Sequence, residues 1–163
     1  MAEIGKKLAE RLKKEKGKTL EFFKGLPGAI WQRKLYADGA EWTIYEVLVH
    51  IVEAESSLTT LFVHVAEDGN GVGEDFDIDA HNKKAVEKLK GSSVEDLLEQ
   101  FSQLRDRLVL AVSNWGDNQF QNVGRHPFLG EARLDEMIRL SYLHVNLHIR
   151  DVRKALKEAG QGG

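Results

Sequence analysis

The stretch VEDLLEQFSQLRDRLVLAVSNW, residues 94–115, places Val94, Leu97, Leu98, Phe101, Leu104, Leu108, Ala111, Val112 and Trp115 at spacings of three and four. That spacing gathers the apolar side chains on one face of an α-helix and leaves the charged ones on the other. Ser92 or Ser93 supplies the N-cap ahead of Glu95 and Asp96, and Gly116 stops the helix. One amphipathic helix buries nothing alone, so its partners must lie on either side of it in the chain.

Upstream, Thr43 with Glu46 three residues on has the pattern of a capping box, followed by the stripe Ile44, Val47, Leu48, Ile51, Leu58, Phe62 and Val65. Gly69-Asn70-Gly71 breaks it. Earlier still, Ile4, Leu8, Leu12, Phe22 and Phe23 predict a first helix that runs through Gly17 and stops at Leu26-Pro27-Gly28. Downstream, a Gly-, Asn- and Pro-containing stretch over 116–130 reads as loop, and a last helix is expected over 131–159. Four long helices with almost no strand alternation predict an all-α protein, a four-helix bundle of antiparallel type. The connection over 68–92 is too long for a hairpin and is expected to carry a short helix over 82–89 across one end of the bundle. The reading is therefore one domain over 1–159 with a flexible tail over 160–163.

Composition narrows the chemistry. The chain is 42% hydrophobic and 30% charged, which predicts a folded protein with more charge than the globular norm of about 25%. It has no cysteine, so disulfides, thiolate zinc sites, iron–sulfur clusters and a cysteine nucleophile are excluded, and any metal must be held by His, Asp or Glu. The absence of cysteine also suits a reducing compartment. Residues 1–18 are rich in Lys and Glu without an apolar segment, and no apolar run approaches 18 residues. A cytoplasmic protein with no membrane partner is expected. Charge is segregated along the chain. Residues 1–40 hold ten Lys or Arg against five acids, whereas residues 41–81 hold ten acids and no Lys or Arg. A basic first helix facing an acidic second one is the simplest expectation. No nucleic-acid partner is expected, because the basic residues lack interleaved aromatics and the net charge of -3 repels phosphate.

The last helix contains His144-Val145-Asn146-Leu147-His148, two imidazoles one turn apart on one face. Met137, Ser141, Asp151 and Ala155 share that face, so it points toward the bundle. A pair of inward imidazoles needs a third metal ligand from elsewhere. His50, flanking the stripe of the second long helix, is one candidate; His126, beside Pro127, is the other. His81, on the crossover, falls on neither inward face and is expected to matter neither to metal nor to activity.

Trp42-Thr43, then Glu46-Val47-Leu48-Val49-His50 and Glu53-Ala54-Glu55, resembles the second-helix signature of the DinB-like metalloenzyme family. Arg125-His126-Pro127-Phe128-Leu129-Gly130, followed by Leu134-Asp135-Glu136-Met137, is similar to the way that family opens its last helix. The likeness spans 26–156. It implies an up-down-down-up bundle with a long crossover between the second and third long helices, in a homodimer. It further implies His50, His144 and His148 as facial ligands of a divalent metal ion, zinc, nickel or iron. The family includes thiol-dependent transferases and isomerases, so a low-molecular-weight thiol is an expected cosubstrate.

Three neutral imidazoles would leave an ion its full charge and open positions at which water or a thiol loses its proton. Glu55 and Asp151 are candidate catalytic residues, as orienters of an imidazole or as general base, with an ion pair to Arg or Lys on a neighbouring helix as the other reading. The expected function is a metal-dependent enzyme, thiol transferase or hydrolase, attacking a small electrophilic substrate. The alternative is a non-catalytic helical bundle that binds a metal or ligand. Other motifs carry less. Asp75-Phe76-Asp77-Ile78-Asp79 starts like a calcium loop, but Ala80 and Val86 replace the required glycine and glutamate. Gly69-Asn70-Gly71-Val72-Gly73 lacks the Lys-Ser/Thr of a phosphate loop and reads as a flexible turn. Trp31, Trp42 and Tyr45 read as core or as the mouth of a cleft, and Arg125 as solvated or as a guide for an anionic substrate.

Overall fold

Thr43 opens the helix that organises the site. Its hydroxyl accepts the Glu46 N–H at 3.1 Å, and the Glu46 carboxylate accepts the Thr43 N–H at 3.1 Å, so two end donors that helix geometry leaves free are satisfied. In the computed structural model, which describes residues 3–37 and 40–161, the helices are α1 (Glu3–Lys24), α2 (Ile44–Ala66), α3 (Ile78–Leu89), α4 (Val94–Asn114) and α5 (Leu134–Gln161). Ser93 caps α4 through the Asp96 N–H at 3.0 Å, and Asp77 caps α3 through the Ala80 N–H at 3.1 Å. The crossover helix thus starts four residues before the apolar pattern announces it. At the other end, α5 runs on through Gly160 and Gln161, expected to be tail; Gly162 and Gly163 lie outside the described residues.

The four long helices pack in the cyclic order α1–α4–α2–α5. Arg11 over Tyr142 and Asn146 on Glu15 run α1 and α5 in parallel, and Tyr45 bonded to Ser92 with Glu55 paired to Arg105 does the same for α2 and α4. This is the up-down-down-up bundle, and its parallel neighbours are what require the long crossover through α3. It also corrects the charge expectation. The basic α1 does not face the acidic α2, which lies diagonally across the bundle. Lys16 instead pairs with Asp106 of α4 at 2.6 Å, and the α2 carboxylate Glu55 pairs with Arg105.

Each diagonal crossing is made by a two-stranded hairpin. Strand β1 (Lys34–Ala37) pairs antiparallel with β2 (Ala40–Thr43), and β3 (Val123–His126) with β4 (Gly130–Arg133). The region over 116–130 is therefore not plain loop, and the last helix starts three residues later than expected because β4 takes its first turn. Four-residue strands show too little alternation to register in sequence, and such hairpins persist only when docked on a larger body. Each leads straight into a helix bearing histidines: Leu134 N–H donates to Asn122 O at 2.9 Å, and Ile44 N–H to Arg33 O at 3.0 Å.

Two apolar clusters fill the bundle, one around Leu12, Phe62, Leu108 and Met137, the other around Phe23, Ile44, Leu97 and Val152. Buried polar residues separate them on three helices: Glu15 and Thr19 on α1, Glu55 and Thr59 on α2, Arg105 on α4. His148 of α5 is buried as well.

Candidate metal centre

Helical spacing alone brings the imidazoles of α5 together. His144 and His148 lie one turn apart, their ring centroids separated by 4.6 Å, on a face whose other members Met137, Ser141 and Ala155 are buried. Across from them α2 presents His50, whose ring lies 5.0 Å from that of His148 and 6.1 Å from that of His144. One ring nitrogen from each of the three falls within 4.8 Å of the others. A tetrahedral ion with bonds near 2.1 Å sets nitrogens about 3.4 Å apart, a closure that small side-chain rotations supply. The donor set fits a borderline ion: imidazole serves zinc, nickel, copper and iron alike. His50 and His148 are buried, and His144 is half-buried.

The hairpins frame this cluster. Trp42 of β2 lays its ring 4.9 Å from His50, and Phe128, in the turn between β3 and β4, lies 5.7 Å from His144. His126, the other candidate for third ligand, is instead built into that turn. Its Nδ1 accepts the N–H groups of Phe128 at 3.0 Å and Leu129 at 3.2 Å. Burial, and then the charge of neighbouring His144, push its pKa down to about 4. An imidazole so engaged is held neutral with its proton on Nε2.

Neither candidate carboxylate belongs to the three-histidine group. Glu55 is buried and takes a two-pronged ion pair from Arg105, Nε to Oε2 at 2.6 Å and Nη2 to Oε1 at 2.9 Å, while Arg105 Nη1 donates to Leu12 O at 3.2 Å. Asp151 is half-buried beside a surface hollow shared with Arg150, Arg153 and Lys154. Of Trp31, Trp42 and Tyr45, Trp31 stacks on Phe23 in the core, Tyr45 donates to Ser92 O at 2.6 Å, and Trp42 lies against the cluster. Arg125 is neither fully solvated nor turned to the cluster: its guanidinium meets Glu74 at 3.3 Å.

A cavity of about 470 Å³ opens beside the cluster, lined by His50 and His144 together with Leu58, Leu61, Val72 and Phe128. His81 lines it too, through the path of the crossover. The sequence reading set that residue aside because it lay on neither inward face; the contact depends on where 67–77 lead the chain, which periodicity does not encode. Ser57, seven residues beyond His50, shares its face of α2, a neighbour of the site that spacing alone identifies.

Residues 11–152 match the family model described as the DinB superfamily. Of the solved structures, YfiT from Bacillus subtilis, described as a probable metal-dependent hydrolase with an unusual four-helix bundle topology, is similar with a TM-score of 0.76 at 19% identity, over 96% of this chain and 87% of its own. The mycothiol-dependent maleylpyruvate isomerase follows with a TM-score of 0.73 at 11% identity, over 91% of this chain but 60% of its own, so the present chain spans less than two thirds of it. The colibactin self-resistance protein ClbS, solved with double-stranded DNA, gives 0.72 at 11% identity over 94% and 95%. No curated protein matches the sequence significantly. At such identities these likenesses are ones of fold.

Proposed function

The chain belongs to the DinB superfamily, and on that premise we propose that His50, His144 and His148 hold a divalent metal ion in an enzyme acting on small electrophilic molecules. The observation that carries this reading is that His50 and His144 line the 470 Å³ cavity, a volume within the range of about 300–1,000 Å³ usual for small-molecule sites. An ion held by three neutral imidazoles keeps its double charge and lowers the pKa of water or a small thiol at its open positions.

The chain's own residues supply position and exclusion. Trp42 packs against His50, and Phe128 against His144, so the hairpin turns help fix ring orientation. Leu58, Leu61 and Phe128 present an apolar wall that keeps bulk water from the reacting group. Asp151, three residues beyond His148, is the carboxylate proposed to orient an imidazole or take up a proton. Glu55 has a supporting place: its pairing with Arg105 anchors α2 five residues past His50. Mycothiol dependence in one structural relative and hydrolase character in another support, in turn, thiol and water as the nucleophile. A homodimer in the cytoplasm completes the reading, with no nucleic-acid partner. Exposed Leu143 and Leu147, one turn apart, offer an apolar face to a second copy. Among the described residues no helix is long and apolar enough to cross a membrane.

Elemental analysis of protein purified without a histidine tag tests the first half. A stoichiometric transition metal that disappears in His148→Ala is expected; a metal-free wild type after incubation with zinc, nickel and iron would overturn it. For the second half, loaded protein is assayed with glutathione, with a cysteinyl sugar thiol and with buffer alone against a model electrophile and an ester. Thiol-dependent turnover identifies a transferase and thiol-independent ester cleavage a hydrolase. Inactivity throughout, in protein shown to hold its metal, favours the non-catalytic bundle.

A further inference from the structure

Two turns beyond His50, the same face of α2 carries a second polar point. The Ser57 hydroxyl donates to the Glu53 carboxylate at 3.1 Å and lies 3.3 Å from Nε2 of His81, whose ring is held 5.4 Å from that of Phe76. All four residues line the cavity that also holds His50 and His144. Seven residues of helix set Ser57 about 10.5 Å along the axis from His50. Because the hydroxyl directs its one proton to Glu53, the contact with His81 is donated by Nε2–H. This is not a nucleophilic serine: there the base takes the serine proton and the acid orients the base, whereas here the acid takes the proton itself.

What Glu53 and Ser57 offer a ligand is therefore a negative charge and acceptor lone pairs, with His81 fixing the hydroxyl between them. Glu53 is the one carboxylate among the residues that line the cavity, and none of them is Lys or Arg; His50, His64 and His144 complete its titratable lining. Between the two polar points the wall is apolar, formed by Ala54, Leu58, Leu61 and Val72.

We infer that Glu53, Ser57 and His81 form a subsite for the protonated amine of an elongated substrate, whose apolar body lies along Leu58 and Leu61 and whose reacting group reaches His50 and His144. The span equals about three extended residues of polypeptide. The assignment of the reacting end rests on the function proposed above; the amine subsite does not.

The test is titration of full-length protein, metal-loaded and metal-free, with hexylammonium, hexanol and hexanoate, read by calorimetry and by amide chemical shifts. Hexylammonium is expected to bind most tightly and hexanoate least. Replacing a charged acceptor by a neutral one, Glu53→Gln, should weaken hexylammonium about tenfold and leave hexanol within about twofold. Ser57→Ala, a smaller change that tests the same point should Glu53→Gln fail to fold, should weaken the amine about threefold. Hexylammonium binding unaffected by either variant, or hexanoate binding the metal-free protein more tightly than the amine, would overturn the subsite. His148→Ala should lose metal while keeping amine affinity. A chain that selects the amine yet never binds metal would leave the subsite standing and remove the catalytic reading, and the reverse pattern would do the opposite.

Discussion

Arg105 is the largest side chain with no exposed surface, and its guanidinium has Glu55 as its counter-charge and the Leu12 carbonyl as a further acceptor. Burial of both charges costs desolvation that their pairing only offsets, so the pair contributes little net stability while the loss of one partner is severe. Glu55→Ala should cost about 3–5 kcal/mol in urea denaturation, and replacing both residues by apolar ones of similar volume should restore most of it. Metal content in the folded fraction of either variant reports whether Glu55 also serves the histidines. A second residue-level consequence concerns His126. Its pKa lies at about 4 in the fold against 6.5 for a free imidazole, so between those values the unfolded chain binds the extra proton. Its contribution to stability is complete above pH 6.5 and is lost as the pH falls toward 4. Imidazole carbon shifts should show His126 neutral at pH 5.5, and His126→Gln should flatten the fall in stability over that interval.

At the scale of elements, the helices were legible and the hairpins were not, for one physical reason. Amphipathic α4 repeats its signal over twenty-one residues, whereas β3 and β4 have four each and are held by what they dock against. The His144–His148 pair could be read from spacing within one helix. His50 needed the family likeness, because which helices become neighbours is a property of topology, and for the same reason the segregation of charge along the chain does not tell that α1 packs on α4 and α5. His81 and the cavity wall were beyond reach, since they depend on how the crossover is tied down. That tie is made at Gly71, which has φ of 92° and forms a parallel bridge to Arg125 of β3, next to the Val72 N–H bonded to Arg125 O at 2.9 Å. A Cβ at Gly71 would stand 2.3 Å from the Arg125 backbone, in a conformation that side-chain-bearing residues rarely adopt. Gly71→Ala should release the crossover from the hairpin. Hydrogen exchange at Val72 should accelerate by at least about tenfold, while amides in the centre of α4 keep their protection.

For the whole molecule the question is how far the fold depends on an ion at the three histidines. Apolar clusters on both sides of the polar layer bury large residues from all four long helices, among them Phe23, Phe62, Phe101 and Leu134. The chain therefore differs from small metal-nucleated domains, in which ligand binding is the folding energy. The three histidines nevertheless join α2 to α5, so an ion bound only by the native arrangement must raise the stability of the fold by mass action. Removing it should lower the melting temperature and raise local exchange near His50 and His148, yet leave helical circular dichroism at 25 °C intact. His148→Ala should melt at one temperature with or without added metal. If chelation instead abolished the helical signal, the ion would be holding the bundle together and the case for an open, working site would fail. If chelation changed nothing in a wild type shown to have held metal, the ion would lie somewhere other than between α2 and α5.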